Sequence, residues 1–247
     1  MNLAIGIDIG GTGIKGGIAN LDTGELVSDR VKIPTPTGGS PSDIVRTVVD
    51  IIAELGEEHA TNLPLGVCFP AVVLGGVTMS AANVSTEWIG LDAEELFERH
   101  LGRSIHFVND ADAAGIAEVR YGAATGQSGL VVMTTLGTGI GSAMIHNGVL
   151  IPNSELGHLE VDGSVAEHRA ANSARERENL SWEEWSIRLQ RYYSHLEMLF
   201  SPELFIVGGG VSKSQEHFLP RLSLRTPIVP AVLRNNAGIL GAASLAS

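Results

Sequence analysis

Asp8-Ile9-Gly10-Gly11-Thr12-Gly13-Ile14-Lys15 is the stretch of sequence that decides the fold. Apolar runs at 3–9 and 14–19 flank it, so we predict two strands joined by a tight glycine turn. Adjacent glycines let a backbone turn sharply and bring its N–H groups close to a phosphate. The motif is neither a P-loop nor a dinucleotide fingerprint, because a strand follows the glycines. Taken alone, it fits a plain β-hairpin turn equally well.

A second glycine turn, Leu136-Gly137-Thr138-Gly139-Ile140-Gly141, has the same context, with strands predicted at 130–136 and 140–145. Two such turns favour a phosphate held by both over two unrelated hairpins. Asp8 is placed to hold Mg²⁺ directly or through water. The candidate phosphate-binding residues are Gly10, Gly11, Thr12, Lys15, Gly137, Thr138 and Gly139.

The rest of the chain alternates strands and helices, which indicates an α/β fold. We predict further strands at 25–32, 65–69, 105–109 and 204–207, and helices that begin near Ser40, Asp92, Ala111, Ser181 and Asn236. The two glycine turns suggest two similar domains that face each other across a cleft. We place them at 1–107 and 108–235, and the closing helix at 236–247 is a candidate to pack on the first domain.

Two polar motifs are candidates for the chemistry. Asp110, in Val108-Asn109-Asp110-Ala111-Asp112, follows a strand and precedes a helix, where a carboxylate near phosphate could deprotonate an alcohol. Helix capping by Asn109 and Asp110 is the alternative. Glu155-Leu156-Gly157-His158 could bind vicinal sugar hydroxyls, although a solvated glutamate and a structural histidine fit that motif as well.

Composition excludes several classes of protein. The net charge of −12 argues against nucleic-acid binding. No run of apolar residues is long enough for a membrane span, and we expect no signal peptide. The single cysteine, Cys68, excludes an internal disulfide, lies in an apolar run and is expected to be a buried, inert thiol. We therefore expect a cytoplasmic protein.

Together these motifs resemble the ROK sugar kinases, and the resemblance covers essentially the whole chain. It implies a two-domain actin/hexokinase-like (ribonuclease H-like) fold with an inter-domain cleft. It also implies that Asp110 is the catalytic base. The residues matching the family's sugar ligands are Asn83, Asn109, Asp110, Glu155, His158 and Glu167, and those expected on the donor side are Gly209, Gly210 and Lys213.

The segment 159–179 departs from the usual family pattern because it lacks three zinc-binding cysteines. A zinc ion held by His158 is therefore not expected. The zinc-free version looks like the polyphosphate glucokinases of actinobacteria. That resemblance implies a Mg²⁺-dependent transfer from polyphosphate to glucose, with ATP left open as a further donor, and the family makes a homodimer the expected assembly.

The phosphoryl donor stays open at this point, since a charge of −12 should repel a long polyanion. A local basic track would resolve the conflict, although the arginines could instead form a solvated, self-paired helix face. The candidates for the track are Lys15, Lys213, Arg234, Arg169, Arg175 and Arg177. The alternatives are a strictly ATP-dependent hexose kinase and a sugar-sensing ROK repressor, which is disfavoured because the first strand starts at residue 3.

Overall fold

The computed structural model describes residues 1–56, 62–81 and 84–247. The chain divides into two compact units, Met1–Ala117 with Asn235–Ser247, and Glu118–Arg234. The first unit therefore runs beyond the boundary at 107/108 that the sequence suggested. The assignment of functional domains stays a prediction, and each unit is described by itself.

The elements follow one another as the sequence pattern indicates, with several short additions. The strands are β1 Leu3–Gly10, β2 Gly13–Asn20, β3 Glu25–Leu26, β4 Val31–Ile33, β5 Leu65–Phe69, β6 Val73–Leu74, β7 Val77–Thr78, β8 His106–Asn109, β9 Leu130–Leu136, β10 Ile140–His146, β11 Val149–Ile151, β12 Glu160–Val161, β13 Ser164–Val165, β14 Leu204–Gly208 and β15 Ile228–Pro230. The α-helices are α1 Pro41–Glu54, α2 Ala93–Leu101, α3 Asp110–Tyr121, α4 Ala166–Ala170, α5 Asn172–Arg177, α6 Trp182–Phe200 and α7 Ala237–Leu245. Short 3₁₀ helices lie at Thr86–Trp88, Leu156–His158, Gly210–His217, Leu219–Arg221 and Arg234–Asn236.

The sheet of the first unit has the order β3-β2-β1-β5-β8, and β4 pairs with β2. β1 and β2 are antiparallel, as a hairpin requires, whereas β1, β5 and β8 run parallel to one another. Parallel neighbours place their carboxyl ends at the same edge of a sheet, which is where ligands bind in open α/β folds. Asp8 of β1 and Asn109 of β8 lie toward this edge.

The predicted strand at 25–32 is wrong as a single element, because it breaks into β3 and β4. The side-chain oxygen of Ser28 accepts a hydrogen bond from the backbone N–H of Ile18 at 2.9 Å. The Ser28 hydroxyl thus replaces the backbone carbonyl that would accept this hydrogen bond from β2 in a continuous strand. The ladder of backbone hydrogen bonds is interrupted there.

Helix starts in both units use the capping residues that the sequence predicts. Ser40 and Asp92 accept hydrogen bonds from the backbone N–H groups of the residues three positions later, at the starts of α1 and α2. Ser181 forms a full capping box with Glu184 at the start of α6. Such caps satisfy N–H groups that have no partner within the helix.

The closing helix α7 packs directly on the sheet of the first unit. A Cβ atom added to Gly6 or to Gly66 would lie 1.9 Å from a backbone oxygen of α7. At Gly241, within α7, an added Cβ would lie 1.8 Å from the backbone oxygen of Ala113 in α3. Because these positions are glycines, the backbone of α7 can approach the sheet and α3 more closely than any side chain would allow.

The sheet of the second unit has the order β11-β10-β9-β14-β15, with β9 and β10 antiparallel and β9, β14 and β15 parallel. Its core is aromatic: Trp185 and Tyr193 of α6 pack with Phe205 and Phe218. Within the described ranges, none of the helices combines the length and apolar character that a membrane crossing requires.

Candidate active site

Two carboxylates of the first unit lie near one buried thiol at the carboxyl edge of the sheet. Asp8 pairs with Cys68 across β1 and β5, and Cys68 pairs with Val108 across β5 and β8. The thiol lies 3.8 Å from Oδ1 of Asp8 and is fully buried. Burial raises the pKa of Cys68 well above its usual range, and the negative charges of Asp8 and then Asp110 raise it further. Cys68 is thus a buried protonated thiol, as its apolar surroundings in sequence predicted.

Lys15 lies directly opposite Asp8 in the β1–β2 hairpin, and its Nζ is 2.7 Å from Oδ2 of that carboxylate. Both side chains are mostly buried, at 22% and 16% exposed, so the pair is less screened than a surface salt bridge. Gly11 and Thr12 form the turn that joins Gly10, the last residue of β1, to Gly13, the first residue of β2. The candidate metal ligand and the candidate phosphate-binding lysine are therefore positioned by one hairpin.

Asn109 holds the start of α3, and thereby the backbone of Asp110. Its side-chain oxygen accepts hydrogen bonds from the N–H groups of Ala111 at 2.8 Å and Asp112 at 3.0 Å, and its Nδ2 donates to the oxygen of Ala71 at 2.9 Å. The capping alternative therefore describes Asn109 correctly. Asp110 is the first residue of α3, where the helix dipole favours a carboxylate.

Three residues predicted to bind sugar converge in the second unit. His158 lies 3.8 Å from a carboxylate oxygen of Glu155 and 4.0 Å from one of Glu167. Burial raises the pKa of Glu155, the His158 charge lowers it, and the Glu167 charge raises it again. The cluster offers acceptors and a donor together, which is the chemistry that recognises sugar hydroxyls.

The second glycine turn adjoins this cluster. Oε2 of Glu167 accepts a hydrogen bond from the N–H of Ile140 at 3.1 Å, and a Cβ atom at Gly139 would lie 2.5 Å from the same oxygen. Ser173 supports the turn from α5, since its N–H donates to the oxygen of Gly137 and its hydroxyl to that of Thr138. Sequence reasoning missed Ser173, which carries no motif of its own.

The glycine run 208–210 packs beside the same turn. Gly209 has a φ of 84°. A Cβ there would lie 2.6 Å from the backbone oxygen of Leu136, the last residue of β9. A Cβ at Gly210 would meet nothing within 4 Å, and Lys213 is exposed in the 3₁₀ helix that follows. The candidate donor-side residues thus flank the turn at Gly137 and Thr138 within one unit.

Two arginines of the predicted basic track already contact other side chains of the protein. Arg175 stacks over the ring of Trp182 at 4.1 Å, and Arg177 pairs with Glu178 at 3.2 Å. These two arginines therefore fit the self-paired alternative. Asn83, a further predicted sugar ligand, lies outside the described residues.

Oxygen ligands for a divalent cation are available at Asp8 and Asp110, which both lie close enough to act electrostatically on the Cys68 thiol. Mg²⁺ is usually bound through one or two carboxylates, waters and substrate phosphates, so this donor set fits it. Across 1–56, 62–81 and 84–247, no group of three or more His, Cys, Asp or Glu side chains is arranged to hold a metal ion.

Known proteins have sequences similar to that of this chain. The family model described as "ROK family" matches residues 4–168. The chain is 49% identical over 239 residues to a polyphosphate glucokinase of Mycobacterium tuberculosis. This match covers 96% of this chain and 89% of the relative. It is 28% identical over 321 residues to a glucokinase of Streptomyces coelicolor, covering 100% of this chain and 98% of the relative.

Solved structures agree with the sequence relatives. An inorganic polyphosphate/ATP-glucomannokinase from Arthrobacter sp. strain KM superposes with a TM-score of 0.93 at 55% identity, over 98% of this chain and 97% of that one. A ROK family glucokinase from Streptomyces griseus, in complex with glucose and AMPPNP, gives a TM-score of 0.84 at 25% identity, over 99% of each chain. The expected α/β fold of the actin and hexokinase kind is confirmed, and the chain belongs to the ROK family.

Proposed function

We propose that this protein phosphorylates the 6-hydroxyl of glucose with inorganic polyphosphate as donor and Asp110 as the catalytic base. The observation that carries the proposal is the 49% identity to polyphosphate glucokinases over 96% of the chain. The site residues agree with that chemistry, since two carboxylates flank Cys68 in one unit and a Glu–His–Glu cluster adjoins a glycine turn in the other.

On the acceptor side, Glu155, His158 and Glu167 bind hydroxyl groups of glucose. Glutamate oxygens accept from sugar O–H groups, and the imidazole donates or accepts according to its tautomer. Asn109 contributes through its side-chain amide, whose hydrogen bonds to the backbone also fix the start of α3. Asn83 completes the acceptor set in this proposal.

On the donor side, backbone N–H groups of the two glycine turns and the ammonium of Lys15 bind the phosphoryl oxygens. Gly209, Gly210 and Lys213 extend the donor site. Asp8 would hold Mg²⁺, directly or through water, and the ion would neutralise charge on the transferred group. Lys15 also limits the negative charge of Asp8, from which it is 2.7 Å away.

Asp110 orients the 6-hydroxyl and accepts its proton. The hydroxyl oxygen forms a bond to the terminal phosphorus, and the bond from that phosphorus to the bridging oxygen of the donor breaks. The shortened polyphosphate leaves with the electron pair. Because the transition state of such a transfer is loose, positioning and charge neutralisation supply most of the rate.

ATP is the second candidate donor. The Arthrobacter protein is described as a polyphosphate/ATP-glucomannokinase, and the Streptomyces griseus structure contains AMPPNP. The glycine run 208–210 leaves open space at Gly210, which suits the approach of a nucleotide. A cytoplasmic location and a homodimer are further parts of the proposal, and the single, buried Cys68 is consistent with a reducing compartment.

The test offers purified protein, glucose and Mg²⁺ either polyphosphate or ATP in parallel, with glucose 6-phosphate measured. We expect product from polyphosphate. Product from ATP alone would reduce the function to an ATP-dependent hexose kinase, and no product from either donor would overturn the proposal. Omitting Mg²⁺, or adding a chelator, is expected to abolish the reaction with either donor.

A further inference from the structure

A cavity of about 190 Å³ lies in the second unit, on the surface shared by α4 and α6. It is well above the roughly 10–15 Å³ that one water needs, so a small polyatomic ion fits it. The charged and aromatic residues of its wall are Arg169 of α4, Arg188, Arg191 and Tyr192 of α6, and Asp162 between β12 and β13. The sequence singled out Arg169 alone among these.

The arginines are brought together by helix geometry and by one tertiary contact. Arg188 and Arg191 are three positions apart in α6, so they lie on the same face of that helix. Nη1 of Arg188 donates to the backbone oxygen of Arg169 at 3.2 Å, which ties α4 to α6. Three guanidinium groups therefore border one cavity.

The positive charge of this wall is only partly compensated. Arg188 is paired with Glu178 at 2.6 Å. Arg191 lies 3.6 Å from Asp162, but these side chains are 71% and 67% exposed, which makes the pair weak. Arg169 has no ion pair within the part of the chain that the structure describes. The wall is thus locally basic in a chain whose net charge is −12.

Tyr192 also borders the cavity, and its hydroxyl is buried. Its side chain is 1% exposed, and its hydroxyl has no hydrogen-bond partner among the described residues. Burial raises the pKa of Tyr192 well above its usual range, with smaller contributions from Tyr193 and Glu167. The hydroxyl therefore stays protonated. A buried tyrosine hydroxyl usually has a partner, so its lack of one here is unusual.

We propose that this cavity binds a phosphate group, either orthophosphate or one unit of a polyphosphate chain. The planar guanidinium fork matches phosphate oxygens in pairs, and Arg169 and Arg191 are the two arginines least committed to other partners. The site itself does not depend on the proposed function. Only the polyphosphate source of the group rests on that function.

The test is calorimetric titration of the full chain with orthophosphate, tripolyphosphate and long-chain polyphosphate at fixed ionic strength. The variant is the double substitution Arg169→Gln with Arg191→Gln, which leaves Arg188 and its contacts in place. Its control, Arg46→Gln with Arg99→Gln, removes the same charge from two exposed, ion-paired helix arginines. We expect the cavity variant to lose about tenfold or more in affinity, and the control to bind as the wild type does. Lysine at both cavity positions should give an intermediate affinity.

Weaker binding of all three ligands would identify a site for free phosphate as well as for chains. Weaker binding of long chains alone would identify a chain-binding site, and in that case the KM for long-chain polyphosphate should rise while the KM for glucose stays constant. Wild-type affinity of the cavity variant for all three ligands would overturn the proposal. Absence of glucose 6-phosphate formation from polyphosphate would count against the proposed function, while the titrations would still decide the site.

Discussion

Oε2 of Glu167 accepts a hydrogen bond from the N–H of Ile140 at 3.1 Å, which joins a predicted sugar ligand to the second glycine turn. Gly139 makes this contact possible, because a Cβ atom there would lie 2.5 Å from that oxygen. The predicted phosphate-binding backbone and the predicted sugar-binding side chain are therefore held together within the second unit. We therefore expect a substitution in this turn to change the kinetic constants for glucose before those for the donor.

We predict that Gly139→Ala lowers kcat/KM for glucose by roughly 10- to 100-fold, because a displaced positioning group misaligns the substrate. Steady-state kinetics with glucose varied at saturating donor would measure this effect. The double variant Gly139→Ala with Glu167→Ala should lose little beyond the Glu167→Ala single variant. A folded Gly139→Ala protein with wild-type glucose kinetics would contradict the argument.

Lys15 and Asp8 form the corresponding pair in the first unit, with Nζ and Oδ2 2.7 Å apart. Lys15→Met should lower kcat by about tenfold or more, because a positive charge near the transferred phosphoryl group is lost. The KM for glucose should change little. Kinetics over a range of Mg²⁺ concentrations would test both statements, and an unchanged kcat would remove Lys15 from the donor site.

The local parts of the fold could be predicted from sequence, whereas the parts that depend on distant contacts could not. The β1–β2 hairpin and the caps at Ser40, Asp92 and Ser181 are set by neighbouring residues, and they are confirmed. The break at Ser28 depends on a hydrogen bond to another strand. The periodicity of apolar residues along the sequence does not predict such a bond.

The candidate site divides in the same way. Asp8 precedes a pair of glycines by two positions, and Asp110 directly follows a strand. Glu155 and His158 flank Leu156-Gly157, so all four residues are visible as motifs. Arg188 and Arg191 of the cavity are not visible in this way, because each looks like any charge on an amphipathic helix. Their role depends on the contact between Arg188 of α6 and the backbone oxygen of Arg169. Residues whose role depends on packing between separate helices leave no local signal.

Close packing of α7 on the first sheet gives a stability prediction. Gly66→Ala should destabilise the protein by about 1–3 kcal/mol or more, because the added Cβ would lie 1.9 Å from the backbone oxygen of Ala242. Urea unfolding would measure the free energy of unfolding. The control is Gly210→Ala, where a Cβ meets nothing within 4 Å, so the free energy should stay close to the wild-type value. Equal stability of the two variants would contradict the described contact.

The raised pKa of Glu155 predicts a pH-dependent stability. Burial raises this pKa in the folded protein, so the folded state binds the proton more tightly than the unfolded chain does. The contribution of Glu155 to stability is therefore present below the unfolded pKa of about 4.3 and is lost as the pH rises through the folded pKa. Glu155→Gln cannot lose a proton. The stability of the Glu155→Gln variant relative to the wild type should therefore rise as the pH increases from the unfolded to the folded pKa of Glu155. Urea unfolding at a series of pH values would measure this difference. A difference that does not depend on pH would contradict the assignment.

Asp110 is the first residue of α3, and its backbone is held by the cap that Asn109 forms on Ala111 and Asp112. Asp110→Asn keeps the size of the side chain and removes its ability to accept a proton. We therefore predict that kcat falls by about 10²-fold or more while the KM for glucose and the melting temperature stay near the wild-type values. Asp43→Asn is the matched control, because Asp43 is a first-turn carboxylate of α1 and should leave kcat unchanged. Near-normal turnover of Asp110→Asn would assign the proton transfer to another group, and a parallel loss in the control would point to a general effect of charge on this unit.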